Sequence, residues 1–518
     1  MFGRCRLRLL LTAAIILVAG SELASAQSVA RHDARLAQTI DAVLADTAFA
    51  DGFWGIHVVD LRDGSTVYAR HSGNNFIPAS NMKVITTAAA LDALGADFRY
   101  TTELFINGEL RGGTLDGHLV VRGAGDPTIS DRKFVQHYPT NGDPFVVLRQ
   151  WADSLGVAGV RHVTGHVIGD GSIFDDELLG SGWAWDDEPT PFAAQISGLT
   201  FNEGRLSITA TGSTPGQRAR VSVEPDTDFV YVINRTQTVP AGGISKIRRD
   251  PGSNTIWLES EVPAGQSFDR SVSIHNPTRY FAHSLRLAVR SSGIVIDGDP
   301  VIAEDWWQGL NYDTMTRVAT HTSPPLSEIV AVTNKISQNL YAEHLLRTVG
   351  ARNCEHARAR ATERRRNPAR VRCGSAEAGF LASEGLFERA GMRSNRMRLA
   401  DGSGMSHYNM VSPEDLTALL AYMWTHPDQA VRSAYVSSMA VAGVDGTLRR
   451  RMTNGPAQGS VFAKTGTVTG ARNLTGYVTT TTGTPLAFAI MTNLYGTSTG
   501  KVTRAQDAIV EALVRLQR

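Results

Sequence analysis

An excess of charge of either sign, internal repeats and low-complexity tracts are all missing from this 518-residue sequence, in which 51 Lys and Arg stand against 50 Asp and Glu. The net charge of +1, with 42% hydrophobic and 19% charged residues, argues against a nucleic-acid binder and against a disordered tail. Only three cysteines occur, without zinc-ligand spacing, and the histidines are scattered with no His-Glu-x-x-His, so no metal centre is implied. No Gly-x-x-x-x-Gly-Lys loop is present, and no cofactor is implied. What remains is the composition of an ordinary soluble globular chain, long enough for two or three domains.

Long apolar runs are confined to the start. Arg4, Arg6 and Arg8 precede an apolar run from Leu9 to Ala19, followed by Ala24-Ser25-Ala26. A charged region, an apolar region and an Ala-x-Ala-like site together predict a signal peptide over residues 1–26, cleaved after Ala26. An uncleaved anchor is the alternative, but the run is short for a bilayer. The expectation is a periplasmic enzyme with no transmembrane anchor after cleavage. Cys5 falls in the leader, which leaves Cys354 and Cys373. In an oxidising compartment these are expected to pair, closing a loop worth about 3 kcal/mol by the chain-entropy argument. Two free buried thiols are the alternative.

Along the chain, Leu36, Ile40, Val43 and Leu44 have helical spacing. Phe53 to Val59 and Ser65 to Ala69 then read as a hairpin across the turn Arg62-Asp63-Gly64. From about Phe98 the texture becomes β-rich and glycine-broken, with strands expected at 100–106, 117–122, 163–168, 206–211, 220–223, 229–233 and 255–258. Helical periodicity returns at Tyr280 and again over 326–346. Three strands (462–467, 473–480, 486–492) and a terminal helix with Ile509, Leu513 and Leu516 on one face close the chain. The predicted architecture is α/β: one domain built from residues 27–97 and 278–518, with a mainly β insertion at 98–277 in two lobes. The Arg-rich piece from Arg358 to Arg372 is expected to be a solvated loop; contact with an anionic surface polymer is the competing reading.

Three segments carry chemistry. In Pro78-Ala79-Ser80-Asn81-Met82-Lys83, an apolar run follows at once, so Ser80 should open a buried helix. Unpaired N–H groups and a positive dipole there would stabilise a developing alkoxide, and Lys83, three residues on, lies on the same face to take its proton. A serine at a helix start is more often only a cap. Ser337-Gln338-Asn339 begins a second apolar helical run and offers a hydroxyl and an amide; Ser72-Gly73-Asn74, in a polar loop before the nucleophile, is a decoy. Lys464-Thr465-Gly466-Thr467 lies within a predicted strand, where the glycine would let a substrate lie close and Lys464 and Thr465 would meet a carboxylate. Singly each motif is commonplace. Ordered as Ser-x-x-Lys, Ser-x-Asn and Lys-Thr-Gly, they match the triple of penicillin-recognising serine enzymes.

With these motifs the chain resembles the low-molecular-mass class C penicillin-binding proteins, D-alanyl-D-alanine carboxypeptidase/endopeptidases of peptidoglycan. The long separation of Ser80 from Ser337 resembles that family's insertion, and further matches are Gly123-Ala124-Gly125-Asp126-Pro127-Thr128, Gly182-Trp183-Ala184-Trp185-Asp186-Asp187, Phe201-Asn202-Glu203 and Asp401-Gly402-Ser403-Gly404-Met405-Ser406. The resemblance implies a transpeptidase/β-lactamase-like α/β domain that acts on peptidoglycan peptides and is inhibited by β-lactams. It implies Ser80 as nucleophile, Lys83 as base, Ser337 as proton relay and Asn339 as the residue that holds substrate and orients Lys83. Backbone N–H groups of Ser80 and Thr467 would form the oxyanion hole, and Thr465 and Gly466 would line the substrate. Neutral Lys83 near pH 7 requires a fall of about 3 units, from desolvation and from repulsion by Lys464.

The chain departs from the family pattern at His407, where relatives often carry an arginine that meets a carboxylate of diaminopimelate. For the amine of that residue, Asp170 is the candidate contact, with a structural turn as the alternative. A β-lactamase or esterase using the same triple, and a catalytically silent peptidoglycan-binding protein, are the competing functional readings.

Overall fold

The computed structural model describes residues 33–131 and 142–517. The predicted leader lies outside them, and among the described residues no helix is long and apolar enough to cross a membrane.

The two ends of the chain build one antiparallel sheet. Its six strands run in the order Ala440–Val441, Val461–Val468, Ala471–Thr479, Pro485–Asn493, Phe53–Asp60, Thr66–Arg70. Phe53–Asp60 pairs without a break from Phe53↔Asn493 to Asp60↔Leu486, so the N-terminal hairpin extends the C-terminal one. Period-two alternation then sorts side chains to two cores. Leu486, Phe488 and Ile490 meet the helices Ala34–Leu44 and Thr499–Val514, whereas Ala487, Ala489 and Met491 face the helices Met82–Leu94 and Pro413–Trp424. Met82 to Leu91 is buried on every side, as a helix enclosed between layers must be.

The β-rich part extends beyond its expected end. A seven-stranded sheet joins Thr101–Arg111, Thr114–Arg122, His162–Val163 and Val167–Asp170 to Val295–Ile296, Pro300–Ile302 and Thr316–Thr322. The helix Pro277–Ser291 buries Tyr280, Phe281, Leu285 and Val289 in this region's core. The expected boundary at 277/278 is therefore corrected: the chain rejoins the catalytic layers after Thr322. Local periodicity had marked 280–288 as a helix, but which core it covers depends on strand partners nearly 200 residues away. Two further three-stranded sheets, one of Arg205–Thr211, Arg220–Glu224 and Ser267–Ser273, the other of Tyr231–Asn234, Ile247–Arg249 and Thr255–Leu258, join this same core through Leu206, Ile208, Val272, Ile256 and Leu258.

The Arg-rich piece is corrected in part: its first residues are helical, whereas 364–370 is largely exposed and, apart from the short turn Pro368–Arg370, irregular. Cys354–Glu363 is a helix whose Ala357 and Ala361 pack on Val371, Ala378 and Leu381. Several of its arginines are paired, Arg360 with Glu388 at 2.8 Å, Arg364 with Glu384 at 2.8 Å and Arg366 with Glu377 at 3.0 Å. Cys354 and Cys373 are joined in a disulfide with a Cα separation of 5.3 Å.

Candidate active site

Ser80 lies in a single 3-10 turn, Ala79–Asn81, that leads directly into the helix Met82–Leu94. No side chain caps this start, so its N–H groups keep their partial positive charge toward Ser80. The turn is clamped onto the sheet: Asn81 Nδ2 donates to Thr475 Oγ1 at 2.5 Å and Asn473 Nδ2 to the Pro78 carbonyl at 2.7 Å. Ala79 is held at φ +48°, a conformation an alanine adopts only when its surroundings impose it. Two glycines make the clamp possible. A Cβ on Gly404, itself at φ +83°, would stand 1.8 Å from the Ala79 carbonyl oxygen, and one on Gly466 would stand 2.7 Å from that of Pro78. Gly466 thus lets the Lys-Thr-Gly strand approach the nucleophile turn, a closer partner than the substrate expected there.

Lys83 is wholly buried, with Nζ 3.1 Å from Ser80 Oγ and 2.6 Å from both Asn339 Oδ1 and the Ser403 carbonyl oxygen. A neutral amine has two N–H donors and one lone pair. Asn339 and Ser403 take the donors at the shorter distances, which leaves the lone pair for the Ser80 hydroxyl proton. Burial lowers the Lys83 pKa to about 7, against the opposing pull of Asp401 and Glu343. The Lys464 pKa is pushed well below normal by burial first, then by Lys83 and Arg472.

Ser337 sits between the helices Leu326–Lys335 and Asn339–Arg352 at φ +64°, where the single predicted helical run is broken in two. Lys464 Nζ donates to Ser337 Oγ at 2.8 Å and to the Thr465 carbonyl at 2.8 Å. Asn339 Nδ2 donates to the Phe192 carbonyl at 2.8 Å, and Gln338 Nε2 to Glu203 Oε2 at 2.8 Å, so the inserted region helps to fix this loop. Thr465 Oγ1 bonds Thr447 Oγ1 at 2.9 Å. Thr467 is exposed at the end of the same strand.

The network behind Lys83 went unassigned in the sequence. Asp401 accepts from the backbone N–H groups of Gly404 at 2.8 Å and Ser406 at 2.7 Å, and from Asn409 Nδ2 at 2.7 Å, shaping the loop whose Ser403 carbonyl receives Lys83. Trp183 Nε1 donates to Asp401 Oδ2 at 2.8 Å, tying the Gly182-to-Asp187 segment to the same loop. Glu343 accepts from the Ser403 N–H at 2.8 Å and from Arg347 at 3.1 Å, and Arg347 continues to Asp175 at 3.4 Å. Burial raises the Glu343 pKa, with Asp401 adding to the rise. The i, i+4 pair Glu343/Arg347 inside an apolar run was the available signal.

Asp170 ends the strand Val167–Asp170, and its carboxylate accepts from the Ser172 N–H at 2.8 Å and from the Tyr312 hydroxyl. Neither bond reaches the triple. His407 is exposed, with Nε2 3.3 Å from the carbonyl of Thr469, in the turn that follows the Lys-Thr-Gly strand. It also faces Asp187, whose pKa is raised by burial and Asp186 and held back by His407.

Comparison with known proteins gives a consistent result. The profile of the D-Ala-D-Ala carboxypeptidase 3 (S13) family matches residues 36–516. A D-alanyl-D-alanine carboxypeptidase of Actinomadura sp. (strain R39) is 33% identical over 497 residues, covering 92% of this chain and 84% of the relative. Among solved structures, penicillin-binding protein 4 of Haemophilus influenzae superposes with a TM-score of 0.75 at 23% identity, covering 93% of this chain and 99% of that one. The same protein complexed with a β-lactam gives a TM-score of 0.68 at 22% identity, covering 92% and 98%.

Proposed function

The chain belongs to the D-Ala-D-Ala carboxypeptidase 3 (S13) family, a serine-type D-Ala-D-Ala carboxypeptidase/endopeptidase acting on peptidoglycan, and from that premise we propose how its own residues perform the reaction. Ser80 Oγ attacks the carbonyl carbon of the penultimate D-alanine as its proton passes to Lys83 Nζ, 3.1 Å away. The oxyanion forms against the N–H groups of Ser80 and Thr467, each worth about 3–4 kcal/mol in comparable sites. As the C–N bond breaks, Ser337, held by Lys464 at 2.8 Å, gives its hydroxyl proton to the leaving amine and takes up the proton that Lys83 received from Ser80, which returns Lys83 to the neutral form. Asn339 keeps Lys83 in place and presents its amide to the peptide. Water then attacks the acyl carbonyl as it gives a proton to Lys83, and that proton passes to Ser80 Oγ as the ester bond breaks. A β-lactam opens on Ser80 by the same first step and remains attached. The predicted leader places this chemistry in the periplasm.

The observation that carries this reading is the saturation of both Lys83 N–H groups by Asn339 and Ser403, which aims its lone pair at Ser80. Incubation with a fluorescent penicillin tests it, using Ser80→Ala as control and intact mass as readout. The expected result is a persistent one-to-one adduct absent from the variant. Rapid penicillin consumption without an adduct would indicate a β-lactamase, and no adduct with no consumption would indicate a binding protein.

A further inference from the structure

Beside the active site lies a pocket of about 550 Å³ that the reaction does not use. None of its lining residues belongs to the Ser-x-x-Lys, Ser-x-Asn or Lys-Thr-Gly segments, and neither His407 nor Asp187 lines it. Phe380, Met397 and Leu399 give it apolar lining, and five arginines contribute to its wall: Arg364, Arg366, Arg370, Arg372 and Arg398. It adjoins the catalytic loop at three points. Ala400 precedes Asp401, which shapes the loop that receives Lys83. Ser181 precedes Gly182-Trp183, and Trp183 Nε1 bonds Asp401 at 2.8 Å. Tyr408 follows His407 and packs on Gly182, where a Cβ would stand 2.6 Å from its ring.

Three of the five arginines have counter-charges. Arg364 pairs with Glu384, Arg366 with Glu377, and Arg372 with Asp176 while standing in the field of Glu177; Asp175 is taken by the buried Arg347. Arg370 and Arg398 are exposed, and among the described residues no carboxylate pairs with either. Arg398 stands over the Tyr408 ring at 5.1 Å, which holds its guanidinium at the side of the pocket nearest the active site. Arg370 belongs to a segment that the Cys354–Cys373 disulfide closes, so this wall is covalently fixed. Two unmatched guanidinium groups on separate segments, around apolar lining, suit an occupant with methylene chains and more than one carboxylate. A peptidoglycan stem peptide has that chemistry in its glutamyl and diaminopimelyl residues.

We propose that this pocket is a docking site for a second stem peptide, cross-linked to the one bound at Ser80, with Arg370 and Arg398 receiving its carboxylates. The inference rests on the function proposed above and names the form of substrate that binds best: cross-linked rather than single-stem material. Tethering makes modest contacts count, because the second stem arrives at high effective concentration once the first is bound.

The test measures binding of two labelled muropeptides, an uncross-linked monomer and a cross-linked dimer, to Ser80→Ala protein, which forms no acyl-enzyme. The dimer is expected to bind about 3–30-fold more tightly than the monomer. Adding Arg370→Gln/Arg398→Gln should remove that advantage and change monomer binding less than about twofold, and amidating the carboxylates of both probes should remove it too. Arg358→Gln/Arg365→Gln, which takes away two exposed arginines of the same segment that do not line the pocket, should leave the dimer unaffected. An equal loss from that control pair would mean diffuse charge and overturn the proposal. Equal losses on monomer and dimer, or a Ser80→Ala protein that binds both alike, would overturn it as well. The function itself is read separately: with Ser80 restored, Arg370→Gln/Arg398→Gln should form the penicillin adduct within about twofold of the parent rate. A parent that forms no adduct removes the proposed function, whatever the pocket binds.

Discussion

Lys83 and His407 are both basic side chains expected to serve the same peptide, yet the structure treats them in opposite ways. Lys83 is enclosed, its three hydrogen-bonding positions are occupied, and burial brings its pKa down to about 7. His407 stands at the open end of the Lys-Thr-Gly strand with one 3.3 Å contact to a backbone carbonyl. The first belongs to a region where rigid elements converge: a helix start, the break between two helices and a sheet strand. The second belongs to a rim assembled from loops. Chemistry that needs a fixed proton path sits where packing removes alternatives, at a cost on the order of 5 kcal/mol for keeping a lysine neutral at that depth. Recognition of a variable substrate sits where side chains are free to adjust.

The contrast can be broken most directly at Lys83. Lys83→Met, similar in length and free of charge, is expected to slow Ser80 acylation by penicillin about 10²–10⁴-fold while circular dichroism remains native. A loss under tenfold would mean that another group takes the proton. Gly404→Ala comes next. Its Cβ would occupy the position 1.8 Å from the Ala79 carbonyl, so a fall in stability of about 2–4 kcal/mol by urea unfolding is expected, together with slower acylation as the Ser80 turn is displaced. An unchanged urea midpoint would show that the clamp yields easily and would weaken the claim of rigidity. The rim should respond least: His407→Ala is expected to change penicillin acylation less than about threefold, because its contacts are with Thr469 and Asp187 and not with Ser80 or Lys83. The same variant should alter KM for a diaminopimelate-containing peptide more than kcat, and a large kcat effect would move His407 into the reacting centre.

The same division explains what could be read from the residues alone. Ser80 and Lys83, like Ser337 and Asn339, are neighbours within four positions of each other, and each pair begins an apolar run, so local periodicity was enough to place them. Lys464 followed from a strand pattern of period two. The carbonyl of Ser403 could not be found that way, because its value to Lys83 depends on Asp401 folding a loop from within and on Glu343 holding it from another helix. The origin of the Lys83 shift was legible only in part: desolvation followed from an apolar helix, whereas the opposing acids Asp401 and Glu343 come from segments far from it in sequence. The helical start of the Arg-rich piece escaped notice for a related reason, although 364–367 is the exposed, irregular stretch expected. Ala357 and Ala361 are the only side chains it buries, and two alanines four apart give little apolar signal among arginines. The extent of the β-rich part needed the pairing of Thr316–Thr322 with Thr101–Arg111, which no local window contains.

The central claim is that burial makes Lys83 a neutral base for Ser80, and the pH dependence of the acylation rate tests it most directly. Since the deprotonated amine is the competent form, the rate of penicillin acylation should rise with pH to half its maximum near about 7, the value to which burial lowers Lys83. A rate that stays flat between pH 5 and 9, or a midpoint near the ordinary lysine value of about 10.4, would contradict it.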